Sequence, residues 1–174
     1  MRNAYLSVDL ETTGLDPESC QVIEFGAVLD TISPDAGDVD RLPSFHAYLV
    51  RDSYRGQPFA LSMHPTIFRR IATREPGFNY LDPARLGFEF RNWLLGQGFA
   101  LGDGETRVKI QCAGKNFAGF DLAFLRKLDG FLDYVDVAHR SFDAGNLYFD
   151  PKTDSKIPST EECLKRVPGL AAEV

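Results

Sequence analysis

The stretch YLSVDLETTG, residues 5–14, decides the fold of this chain. Residues 4–10 are rich in β-forming side chains and precede a glycine turn, which predicts a strand. Because alternate side chains of a strand point to opposite faces, the apolar residues at positions 6, 8 and 10 share one face and can pack in a core. Asp9 and Glu11 then lie side by side on the other face.

Asp9 and Glu11 are the first candidate functional residues. Two carboxylates at close range repel each other, and burying them without a partner costs several kcal/mol. Hard divalent cations such as Mg²⁺ prefer carboxylate oxygens and would relieve this repulsion. For an isolated Asp-x-Glu pair, an exposed strand with solvated acids is the simpler explanation, so the interpretation depends on what the rest of the chain supplies.

The segments that follow predict an α/β fold. Strand patterns at residues 21–29 and 45–50, separated by the polar segment 33–43, predict an antiparallel meander with the first strand. The remaining predicted elements are helices at 65–73 and 82–96, a strand at 108–113, a helix at 121–128, a strand at 134–138 and a helix at 160–167. Three strands in series, followed by helices alternating with strands, indicate a mixed sheet covered by helices.

Length and composition restrict the class of protein. The chain has 174 residues, a net charge of −6 and 44% apolar residues, which suits a single domain spanning 1–174. It contains neither a long uncharged apolar run nor a secretion signal, so we expect an intracellular, cytoplasmic protein. Its three scattered cysteines argue against a disulfide framework, and its acidity argues against a broad DNA-coating surface.

A second candidate region is CAGKNFAGFDLAFL, residues 112–125. An apolar strand runs here into a loop of small residues and then into a helix that opens around Asp121. Gly114 and Gly119 would let this loop approach another segment closely. Taken singly, Asp121 is explained as a helix cap and Asn116 as a residue that ties the loop down by hydrogen bonds.

Together these stretches resemble the DEDD, or DnaQ-like, 3′→5′ exonuclease superfamily. VDLETTGL followed by VIEFGAV is similar to its first motif, and Asn116 with the pair Phe120-Asp121 resembles its second. The segment ALSMHP, residues 60–65, is similar to the family's histidine-containing substrate loop. The resemblance favours the branch that carries a histidine in its third motif.

The resemblance implies an RNase H-like mixed five-stranded sheet, with its first three strands antiparallel, flanked by helices. It also implies hydrolysis of phosphodiester bonds from the 3′ end of DNA or RNA with two Mg²⁺ (or Mn²⁺) ions, held by Asp9, Glu11 and Asp121. Single-stranded or 3′-terminal DNA or RNA would be the partner, with a polymerase or another replication or repair protein as a further candidate. The residues that it assigns to substrate binding are Thr12, Thr13, Gly14, Leu15, His64 and Asn116.

The family's fourth acid is missing from the positions where its patterns would place it. Arg51, Arg69 and Ala144 stand five residues after the three histidines, where one branch has Asp. His139 and Asp143 are only four apart, and we expect His139 to have a packing or surface role. Because residues 158–174 resemble the stretch before the third motif, we expect the natural protein to continue beyond this chain. The chain itself would then lack its C-terminal catalytic helix and be a weak or inactive nuclease.

Two other functions remain open at this point. One is a non-catalytic nucleic-acid-binding or scaffolding module on the same fold, which the missing third motif favours and the three acids disfavour. The other is a metal-dependent phosphatase acting on small nucleotides, which would share the acids. The sequence leaves DNA and RNA equally open as substrates, because the contact that would read a 2′-hydroxyl is not apparent in it.

Overall fold

The structure is a computed structural model that describes residues 4–31, 41–102 and 104–167. Most of the polar segment 33–43 and the end of the chain from residue 168 onward lie outside the described residues. The strands are β1 (Ala4–Thr12), β2 (Val22–Thr31), β3 (Ser44–Leu49), β4 (Tyr80–Leu81), β5 (Val108–Ile110), β6 (Cys112–Ala113) and β7 (Val135–Val137). The helices are α1 (Pro58–Met63), α2 (Pro65–Thr73), α3 (Leu86–Gly96), α4 (Asp121–Lys127), α5 (Phe131–Tyr134), α6 (Ala144–Leu147) and α7 (Thr160–Lys165).

The predicted antiparallel meander is confirmed. β1 pairs with β2, and β2 pairs with β3, both in antiparallel register. Near the end of β1 the register shifts between Glu11 and Thr12, which leaves Ile23 as the extra residue of a β-bulge in β2. Bulges of this kind redirect side chains locally, and this one lies beside the two acids of the first strand.

The predicted mixed five-stranded sheet is also confirmed, with the order β4-β3-β2-β1-β6. β4 runs parallel to β3 and β6 runs parallel to β1, so the sheet combines antiparallel centre strands with parallel edges. The two-residue strand β4 was not expected from the sequence, because a segment this short has no recognisable period.

The strand expected at 108–113 is divided into β5 and β6. Leu6 N–H donates to the carbonyl of Gln111 on one side, while Ala138 N–H donates to Ile110 on the other. β6 therefore joins β1, whereas β5 pairs in parallel with β7 as a separate two-stranded ladder. Residues 108–113 therefore connect the five-stranded sheet, through β1, with the two-stranded ladder, through β7.

The helices cover the two faces of the sheet unequally. Leu6, Val8 and Leu10 are at most 5% exposed and belong to a core that also includes residues of α3 and α4. Within it, the rings of Phe25 and Phe90 pack edge to face with centroids 4.9 Å apart. A smaller cluster joins Ile23 and Tyr48 to α2.

The helices predicted at 65–73, 82–96, 121–128 and 160–167 correspond to α2, α3, α4 and α7. Asp82 caps a short 3₁₀ turn ahead of α3 through a hydrogen bond from Ala84 N–H, as its position before proline predicts. The short helices α1, α5 and α6 were missed. No helix among the described residues is both long and apolar enough to cross a membrane.

Candidate functional site

The structure brings Asp121 to the two acids of β1. Asp121 opens α4 and is 4% exposed. Its Oδ1 accepts a hydrogen bond of 3.2 Å from the backbone N–H of Leu10, the residue between Asp9 and Glu11. The acid that opens α4 therefore meets β1 at the residue between the other two acids.

The loop between β6 and α4 makes this meeting possible. A Cβ added at Gly114 would lie 2.9 Å from the carbonyl oxygen of Val8, so a side chain there would collide with β1. Asn116 adopts a left-handed backbone conformation with φ of 57°, and its N–H donates to Asp143 at 2.8 Å. Phe117 is 1% exposed and fixes the loop to the core.

The charges of the three acids oppose one another. Burial, with a smaller contribution from the charges of Asp9 and Glu11, raises the pKa of Asp121 to about 6, although hydrogen bonds from backbone N–H groups lower it. Burial also raises the pKa values of Asp9 and Glu11, and the nearby carboxylate of Glu24 adds to both shifts. The site therefore concentrates negative charge that its own hydrogen bonds only partly compensate.

The donor chemistry of this site fits a hard divalent cation. All three side chains offer carboxylate oxygens, the ligands that Mg²⁺ and Mn²⁺ prefer, and their negative charges are close together. Within residues 4–31, 41–102 and 104–167, no group of three or more His, Cys, Asp or Glu side chains is arranged so that it could hold a metal ion. The acids fit such an ion by their chemistry and charge, and not by the arrangement that their side chains have in this structure.

His64, which the resemblance assigns to substrate binding, lies beside one of the acids of β1. It lies at the junction of α1 and α2, and its Nε2 is 3.6 Å from Oε2 of Glu11. The side chain is only 14% exposed. Its positive charge, when it is protonated, lowers the pKa of Glu11, although burial and neighbouring acids outweigh this effect.

The predicted substrate segment of residues 12–15 is organised largely by its own hydrogen bonds. The hydroxyl of Thr12 donates to the carbonyl of Gly14 at 2.7 Å, and the hydroxyl of Thr13 donates to the carbonyl of Arg55 at 2.6 Å. Both threonine side chains are buried. Leu15, by contrast, is 75% exposed and remains available for a contact.

Asn116 is exposed and lies in the loop before α4, where its backbone is tied to Asp143. Asp143 also caps α6 by accepting from Gly145 N–H at 2.7 Å. Although burial opposes it, these hydrogen bonds together with Lys115 lower the pKa of Asp143. Asp143 thus holds the loop before α4 and the start of α6 by accepting backbone hydrogen bonds. His139 is exposed at the surface.

Sequence reasoning missed two further residues at this site, Glu24 and His46. Glu24 lies opposite Glu11 in the register of β1 and β2, and its carboxylate forms a hydrogen bond with Nε2 of His46. Gly26 separates Asp9 from His46 in the next row across the sheet. Asp9, Gly26 and His46 line one cleft of about 460 Å³. In the antiparallel pair, positions 24 and 26 of β2 lie opposite Glu11 and Asp9 of β1 and so share their face of the sheet. An alignment of the two strands by their alternating side chains would have indicated Glu24.

No family model and no curated protein sequence matches this chain. Solved structures of exonuclease I do match its fold. A product-bound exonuclease I aligns with a TM-score of 0.53 at 14% identity, over 84% of this chain and 31% of that chain. An SSB/exonuclease I structure with an inhibitor aligns with a TM-score of 0.54 at 16% identity, over 84% and 30%.

The zinc-bound complex of E. coli exonuclease I with single-stranded DNA aligns with a TM-score of 0.50 at 16% identity, over 84% of this chain and 29% of that chain. This chain thus spans less than a third of the length of each of these proteins. At such identities the likeness concerns the fold: the chain has the RNase H-like fold that is found in exonuclease I.

Proposed function

We propose that this chain is the nuclease domain of a metal-dependent 3′→5′ exonuclease, which hydrolyses phosphodiester bonds from the 3′ end of DNA or RNA. The observation that carries the proposal is the hydrogen bond of 3.2 Å between Asp121 and the backbone N–H of Leu10. It joins the acid of α4 to the strand that carries the other two acids. The fold shared with exonuclease I, one structure of which contains single-stranded DNA, supports the same proposal.

Asp9, Glu11 and Asp121 are the proposed ligands of two Mg²⁺ or Mn²⁺ ions. Such ions, when bound, lower the pKa of an attacking water and stabilise the charge on the leaving oxygen. The backbone N–H of Leu10 holds Asp121 in orientation toward the β1 acids. Burial of Asp121 limits access of bulk water to its carboxylate, which strengthens its attraction for a cation.

The segment of residues 12–15 is the proposed cradle of the terminal nucleotide. Since the hydroxyls of Thr12 and Thr13 are already engaged, we assign the contact to the backbone near Gly14 and to the exposed side chain of Leu15. An aliphatic side chain packs against any base, which suits an enzyme that removes terminal nucleotides without reading sequence. His64, beside Glu11, and Asn116 complete the proposed set of substrate contacts, and a polymerase or repair protein is the proposed protein partner.

The assay that tests this proposal uses 5′-labelled single-stranded DNA and RNA, with the protein in excess over substrate and Mg²⁺ or Mn²⁺ present. We expect slow, stepwise shortening from the 3′ end that EDTA abolishes. Asp9→Asn should abolish it as well, whereas Asp133→Asn, a change of an exposed acid on α5, should have no effect. Shortening that proceeds equally well in Asp9→Asn would contradict the proposal.

A non-catalytic nucleic-acid-binding module is the second candidate. It is favoured by the finding that the described residues contain no group of three or more His, Cys, Asp or Glu side chains that could hold a metal ion. In the same assay this module would bind the labelled strands and leave them intact, in the wild type and in both variants alike.

A further inference from the structure

Three positively charged side chains share a cavity that none of the acids Asp9, Glu11 and Asp121 lines. Arg51, Arg55 and Lys127 line one small polar cavity of about 150 Å³. Gln21 belongs to the same cavity and holds the loop in place, because its Oε1 accepts from Arg55 N–H at 2.8 Å. These three cations share one cavity although the chain as a whole has a net charge of −6.

Arg51 is incompletely satisfied in this arrangement. Its Nε is buried and has no hydrogen-bond partner among the residues that the structure describes. Burial lowers the pKa of Arg51 and the positive charge of Arg55 lowers it further, while Tyr54 and nearby acids oppose the shift. A buried donor without an acceptor, held near a second positive charge, costs free energy that a bound anion would offset.

The acids around the cluster leave room for such an anion. Glu18 pairs with Lys127 at 2.5 Å, but its side chain is 67% exposed and does not line the cavity. Asp82 and Asp129 line a separate cavity on the other side of Arg51. Neither carboxylate lines the cavity that Arg51 shares with Arg55 and Lys127.

We propose that Arg51, Arg55 and Lys127 form a binding site for a phosphate group. Guanidinium groups offer paired N–H donors that match the oxygens of phosphate, and a lysine adds a compact charge. Two sources share this chemistry: a phosphate of a bound polynucleotide, and free phosphate or a mononucleotide. Occupation by a polynucleotide phosphate rests on the proposed nuclease function, whereas the existence of the phosphate site does not.

The connection to the proposed nucleotide cradle runs through Thr13. Its hydroxyl accepts from Gln21 N–H at 2.8 Å and donates to the carbonyl of Arg55, so one side chain joins both loops that line the phosphate site. Gln57 N–H donates to the carbonyl of Thr13 at 2.8 Å. Binding of phosphate would therefore brace the segment that precedes Leu15.

The first test is calorimetric titration with inorganic phosphate in EDTA, at constant ionic strength balanced with chloride. We expect Arg55→Gln and Lys127→Gln each to weaken phosphate binding by about tenfold or more, the loss of one charge-assisted contact. Arg126→Gln, which removes an exposed charge from the same helix without touching the cavity, should leave binding unchanged. Undetectable binding by the wild type, or equal binding by Arg55→Gln and the wild type, would overturn the site.

The second test repeats these comparisons with a single-stranded oligonucleotide in EDTA, where no hydrolysis occurs. If a strand phosphate occupies the site, Arg55→Gln should weaken binding and lower the salt dependence of the binding constant by about one unit of slope. If oligonucleotide binding is unchanged while phosphate binding is lost, the occupant is a free phosphate or mononucleotide, and the site stands. Because neither titration needs turnover, failure of the nuclease assay leaves both readouts intact.

Discussion

Asp121 is the residue whose burial has the clearest cost in the metal-free protein. Its pKa is raised to about 6 from an ordinary value of 3.8, so its proton is held more tightly in the folded state than in the unfolded state. The free energy of unfolding should therefore fall as the pH rises from about 4 to about 6, and stay lower above that range. A bound divalent cation would reverse this loss.

Asp121→Asn removes the charge and keeps an oxygen that can accept from Leu10 N–H. In EDTA at neutral pH we expect the variant to be more stable than the wild type, by roughly 3 kcal/mol at most, since one pKa unit corresponds to ~1.36 kcal/mol. Urea denaturation across the pH range measures this difference, which should shrink as the pH approaches 4. The exposed control Asp133→Asn should show no such trend, and a variant less stable than the wild type at neutral pH would refute the explanation.

Leu15 allows a separate test of the nucleotide cradle. Its side chain is 75% exposed, so Leu15→Ala should leave the free energy of unfolding nearly unchanged. If the side chain packs on a terminal base, oligonucleotide binding in EDTA should weaken by about tenfold, the effect of losing one apolar contact. Leu147→Ala, at another leucine that is 71% exposed, is the matched control. Equal losses in the two variants would remove Leu15 from the site.

The element that positions the site is the loop between β6 and α4, and its close approach to β1 depends on Gly114. Gly114→Ala should destabilise the protein by about 1–3 kcal/mol, because the added Cβ would lie 2.9 Å from the carbonyl of Val8. Gly96→Ala, where a Cβ would meet nothing within 4 Å, should be neutral or slightly stabilising. Thermal unfolding of the two variants gives the comparison, and equal melting temperatures would show that the loop tolerates a side chain.

Elements with a strong local pattern were predictable from the sequence. β1 alternates apolar and polar side chains, and Asp121 stands ahead of apolar residues at helical spacing, so both were found near their true limits. Of the helices of four to six residues, α7 was predicted, whereas α1, α5 and α6 carry too little period to be recognised. The division of the strand at 108–113 depends on which neighbour each backbone group bonds to, which local periodicity does not encode.

At the scale of the whole molecule, the contacts that depend on the sheet register are those that could not be predicted from the sequence. The family resemblance predicted Asp9, Glu11 and Asp121 as one site, and the structure shows the part of this in which Asp121 accepts from Leu10 N–H of β1. The pairing of Glu24 with His46 was not predicted, because it depends on the alignment of β2 between two neighbours and on the bulge at Ile23. The cationic cavity was missed for a similar reason, since its three charges come from one loop and the far end of α4.

The central claim is that Asp9, Glu11 and Asp121 act together as the ligands of divalent ions. Titration of the protein with Mn²⁺, followed by electron paramagnetic resonance, tests it most directly, because it needs neither substrate nor turnover. The account predicts that the wild type and Asp133→Asn bind Mn²⁺ alike, and that Asp9→Asn and Asp121→Asn each bind it at least about tenfold more weakly. Undiminished Mn²⁺ binding by Asp121→Asn would contradict it.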